Sequence, residues 1–153
     1  MLHDLITNEA LVASAFGWAA AQLAKTVVAF FQGRGLNMRY LYGSGGMPSS
    51  HSAFVSALAT AVAMIQGVGS VTFAICVVVA LVVMYDAAGV RQSVSRQSRV
   101  LNRIVGELRL GRHVADLEGD LRELVGHTPF QVFAGAALGI AVAWLWITIA
   151  GVE

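Results

Sequence analysis

Four sets of polar residues interrupt an otherwise apolar chain, and their types are those that handle a phosphate group. "GGMPSSHSA" spans residues 45–53, "YDAAGVRQS" residues 85–93 and "GHTPFQ" residues 126–131, while Lys25 stands alone in an apolar run. Glycines before a serine cluster let backbone amides approach an anion, and the start of a helix attracts negative charge. The same residues also serve as simple capping, with Ser49 or Ser50 as cap and Pro48 in the first turn. His51 adds a group that donates a proton to a leaving oxygen. His127 sits just before a second helix start, where Thr128, Pro129 and Gln131 form a capping-box pattern. Asp86 lies in an apolar run, which marks it as functional or paired; Arg91, five residues on, is its partner in a salt bridge, a phosphate ligand, or both. Lys25 falls about 9 Å in rise below the end of its segment and reaches the same face by its long stem, to meet either Asp86 or a substrate phosphate.

The elements that must hold these residues are membrane helices. With 153 residues, 57% of them hydrophobic and 12% charged, and a mean hydropathy of +0.70, the chain is too apolar for an ordinary soluble domain. It is expected to form one integral membrane domain over residues 1–153, an all-α polytopic bundle of about four transmembrane helices. The segments are Glu9 to Phe31, the short small-residue run "SHSAFVSALATAVAMIQ", "VTFAICVVVALVVMYDAAGV", and "TPFQVFAGAALGIAVAWLWITIAG". The second is a buried helix that spans only with its flanks, and Trp144 and Trp146 near the end of the fourth suit interfacial anchoring. "MLHDLITNE" lacks a basic region, so the first helix is expected to remain in the mature protein. Cys76, the single cysteine, is expected to pack as a small hydrophobe.

The charges separate by side. Arg34 and Arg39 fall in the first connection, and seven arginines from Arg91 to Arg122 fall in or beside the third, whereas the tails carry only Asp4, Glu9 and Glu153. The positive-inside rule therefore puts both connections, and the polar clusters with them, at the cytoplasmic face of a cell membrane. The third connection, a cytoplasmic insert of about residues 92–126, carries two apolar stripes, one with Leu101 and Leu108, the other with Leu117 and Leu124. These pack on each other or on a second subunit of a homodimer, or they form a lid on lipid headgroups.

With "GGMPSSHSA", "YDAAGVR", Leu101–Asn102 and "GHTPFQVFAGAALG" in this order and spacing, the chain resembles the divergent branch of the type 2 phosphatidic acid phosphatases. That branch is related to acid phosphatases and vanadium haloperoxidases, and the resemblance covers nearly the whole chain. It implies that Lys25 binds phosphate with Arg34 or Arg39 as the second cation, that Ser49 holds a phosphate oxygen, and that His51 is the general acid. It further implies that Arg91 neutralises the phosphoryl group and that His127 is the nucleophile. Ser50 replaces the glycine of the superfamily's P-S-G-H element, and Gln131 stands where an aspartate orients the nucleophile. Asp86 is then the available carboxylate, as a third catalytic group. The expected activity is hydrolysis of a membrane lipid phosphate through a phosphohistidine, foremost phosphatidylglycerophosphate. Polyprenyl diphosphate hydrolysis and a non-catalytic binder of anionic lipid are the alternatives. The expected partners are the bilayer and its lipid, with no cofactor and no nucleic acid.

Overall fold

The structure, a computed structural model, describes residues 2–31, 46–89, 97–98, 100–101 and 127–151. Arg34, Arg39, Arg91 and the insert of about residues 92–126, apart from 97–98 and 100–101, lie outside the described residues. The elements are a short α1 (Leu2–Ile6) and four longer helices, α2 (Glu9–Phe31), α3 (Ser50–Gln66), α4 (Val71–Ala88) and α5 (Pro129–Ala150). Among the described residues there is no strand, and the all-α membrane bundle expected from the sequence is what forms.

Each long helix begins where a polar side chain caps it. The Leu11 N–H donates to Asn8 Oδ1 at 3.1 Å, that of Phe73 to Ser70 Oγ at 3.1 Å, and Thr128 opens α5 with the full capping box. For α3 the cap is Ser49, which leaves Pro48 outside the helix rather than in its first turn. Among the described residues, three helices are long and apolar enough to cross a membrane, α2, α4 and α5, with mean hydropathies of 1.3, 2.4 and 2.1. With 17 residues, α3 reaches about 26 Å, short of roughly 30 Å of hydrocarbon.

That short helix is the hub. α3 packs against α2, α4 and α5; α2 also packs on α5, whereas α4 meets α5 only lightly. Small residues make the close approach possible. Gly135 and Gly139, one turn apart on α5, lie directly on the α3 backbone, where a Cβ on either would run into the carbonyl oxygen of Ser49 or Ala53. The bundle is divided along its length. At one end Ala13, Ala57, Ala61, Ala143 and Ile147 form an apolar core, closed by a hydrogen bond from Trp146 Nε1–H to Glu9 Oε2 at 2.8 Å. Trp146 also lies against Phe16, ring centroids 4.5 Å apart, so it ties α5 to α2, while Trp144 is exposed. At the other end polar side chains are buried among the apolar ones: Gln22, Lys25, Ser49, Ser50, Ser52 and His127. Cys76 is buried, as expected of a packing residue.

Candidate active site

The polar end gathers the last turns of α2 with the first turns of α3 and α5. Lys25, only 3% exposed, donates from Nζ to Gln22 Oε1 at 3.0 Å and to Ser50 Oγ at 3.1 Å. Its place on α2 brings the ammonium to the start of α3, where first-turn amides and the helix dipole favour an anion. The backbone of Gly46 lies over the lysine stem. Asp86 is not its partner: it is half-buried near the end of α4 and forms no ion pair with Lys25. Among the described residues, this buried lysine is held by neutral groups alone.

Ser49 is fully buried. Its Oγ accepts from the Ser52 N–H at 3.4 Å and from the Ser52 hydroxyl at 3.0 Å, and its own N–H donates to the carbonyl of Gln131 at 3.0 Å. Ser49 thus caps α3 and joins it to α5, and the hydroxyl that meets the lysine is that of Ser50. His51, on the first turn of α3, is exposed.

The bond from Ser49 to Gln131 sets the starts of α3 and α5 side by side, and His127 stands just before α5, 2% exposed. One atom sets which ring nitrogen donates. Gln131 Oε1 accepts the Thr128 N–H at 3.0 Å, and a backbone N–H only donates, so the atom facing it is the amide oxygen. The same oxygen lies 3.3 Å from His127 Nδ1. An amide oxygen only accepts, so Nδ1 carries a proton, and in the neutral ring the lone pair is then on Nε2, which is buried. In this way the capping box of α5 also holds the ring of His127.

Of the residues expected at the site, the structure brings together Lys25, Ser49, Ser50, His127 and Gln131, linked through the start of α3. Gln22 was not among them, although its spacing of three from Lys25 on one helix is the signal that would have found it. Among the described residues no three of His, Cys, Asp and Glu are grouped so as to hold a metal ion.

A family model, "Divergent PAP2 family", matches residues 6–142. The chain is also similar to the "Uncharacterized membrane protein YuiD" of Bacillus subtilis (strain 168), 38% identical over 146 residues, which cover 90% of this chain and 92% of that protein. No solved structure matches it significantly. The family match takes in Lys25, the serine-rich start of α3 and the His127–Gln131 pair within one continuous span, and the chain belongs to the Divergent PAP2 family.

Proposed function

We propose that this membrane protein hydrolyses a lipid phosphate at the cytoplasmic face through a phosphohistidine, with phosphatidylglycerophosphate as the best-fitting substrate. The observation that carries the reading is the hydrogen bond between His127 Nδ1 and Gln131 Oε1, because a neutral ring held at Nδ1 attacks through Nε2. In the first step Nε2 bonds to phosphorus and the ester P–O bond breaks. The departing alcohol oxygen takes a proton from His51, whose exposure suits exchange with water. In the second step water attacks the phosphohistidine, gives its proton to His51, and inorganic phosphate leaves His127 free. Lys25, Ser50 and the first-turn amides of α3 bind the phosphoryl oxygens; Arg34 or Arg39, with Arg91, are assigned the remaining charge.

Two further features support a lipid substrate made in the cytoplasm. A groove of about 530 Å³ between α4 and α5, lined by apolar surface including Leu81, Val82, Val132 and Phe133, reaches Pro129 beside the His127 site. It opens on exposed faces of two spanning helices, where an acyl chain lies in continuity with the bilayer. The arginine asymmetry directs the polar end inward.

The test is release of inorganic phosphate by purified protein from phosphatidylglycerophosphate, phosphatidic acid and polyprenyl diphosphate in mixed micelles. Release from the first, abolished in His127→Ala, is the expected result; full activity in His127→Ala would overturn the phosphohistidine route. The neutral Gln131 in place of a carboxylate favours a second reading, a non-catalytic binder of anionic lipid. Vanadate binding without phosphate release from any of the three would select it.

A further inference from the structure

Lys25 is a buried cation held by uncharged partners. Its Nζ meets Gln22 Oε1 at 3.0 Å and Ser50 Oγ at 3.1 Å, and no carboxylate among the described residues forms an ion pair with it. Taking an ammonium out of water is costly, and the common remedy is a carboxylate beside it. Here an amide stands in that position. Gln22 is buried, 7% exposed, and being three residues before Lys25 it meets the ammonium without leaving α2. An ammonium has three donors, and two are used by these bonds. The two amide hydrogens of Gln22 and the hydroxyl hydrogen of Ser50 have no acceptor among the described residues. The cluster is therefore rich in donors, carries one positive charge and lacks an acceptor for either excess.

We propose that Gln22 is a positioning residue that fixes the Lys25 ammonium at the start of α3 through a neutral amide and so keeps its charge for a phosphate oxygen. This rests on the reading that the site takes a phosphate group. Glutamate at the same place would accept the same hydrogen bond, and more strongly, but it would cancel the charge the ligand needs. A carboxylate roughly 6 Å from a bound phosphate, at an effective dielectric constant near 20, weakens anion binding by at least about tenfold. Position 22 thus separates two requirements that coincide in most buried lysines, holding the side chain and neutralising it.

The experiment measures vanadate and inorganic phosphate binding calorimetrically, on the full chain in detergent, together with thermal unfolding. Gln22→Glu is expected to weaken both anions about tenfold or more while unfolding at the same temperature as the parent or higher, a split that a purely structural role does not produce. Gln22→Met removes the acceptor without adding charge, and is expected to weaken the anions by a smaller factor, about threefold. It serves as the deciding variant if Gln22→Glu does not fold. Unchanged anion affinity in Gln22→Glu, or in Gln22→Met where that is the folded variant, would overturn the proposal. Lys25→Met separates the two levels. If it also leaves anion binding unchanged, or if the parent binds neither anion, the phosphate reading of the site falls and this proposal with it. If Lys25→Met abolishes binding and Gln22→Glu does not, only the role of Gln22 is lost.

Discussion

The side chain of Gln131 serves two masters with one oxygen, closing the first turn of α5 and orienting His127. Gln131→Glu keeps both bonds and adds the charge that stabilises an imidazolium, so phosphatase activity should be retained or raised. Gln131→Leu removes both, and should lose about 1 kcal/mol of stability with a fall in activity of about 10²-fold or more, read from unfolding and from phosphate release. Gln131→Asp restores the superfamily's residue type with a shorter reach, and its activity relative to Gln131→Glu measures how much the 3.3 Å separation matters. His51→Ala should spare substrates with good leaving groups, which need little proton donation, and a p-nitrophenyl ester against a lipid phosphate makes that comparison. At this scale the sequence was legible wherever chemistry is local. Thr128, Pro129 and Gln131 announce their cap by spacing alone. The oxygen shared with His127 and the grip of Gln22 on Lys25 depend on rotamers and on the arrival of α3, which no spacing encodes.

Among the elements, α3 is short because it is enclosed. Its neighbours carry the hydrophobic length, and its own small residues let them close on it. The seam with α5 leaves no room at Gly139, so Gly139→Ala should cost about 2–3 kcal/mol by overpacking, seen as a lower unfolding temperature in detergent. Ala137, exposed on the same helix, should accept leucine with a change of less than about 0.5 kcal/mol. The bounds of α2 and α3 follow from the runs of apolar residues between polar punctuation, and were visible before any coordinates. The packing order was not: nothing in "SHSAFVSALATAVAMIQ" says which of three neighbours it meets through which alanine. Trp146 is the clearest case, an expected interfacial anchor that also bonds Glu9 across the bundle. Trp146→Phe keeps the ring and loses that bond, for an expected cost of about 1 kcal/mol.

Taken whole, the molecule has a polar end and an apolar end, and its orientation decides which leaflet supplies substrate. In a Cys76→Ala background, a cysteine at Arg109 should react with an impermeant thiol reagent only after the membrane is opened; labelling of intact cells would reverse the orientation. The seam between α3 and α5 also has a consequence in time. Lys25 and Ser50 belong to the first half of the chain, and His127 and Gln131 lie at the start of α5, which is synthesised after them. On the proposed mechanism, the nascent chain carries the anion-binding residues before the attacking one is in place, because His127 is oriented only when α5 inserts and Ser49 reaches Gln131. Turnover then requires α5 in place, and a chain stalled before α5 would be inert toward the lipids around it.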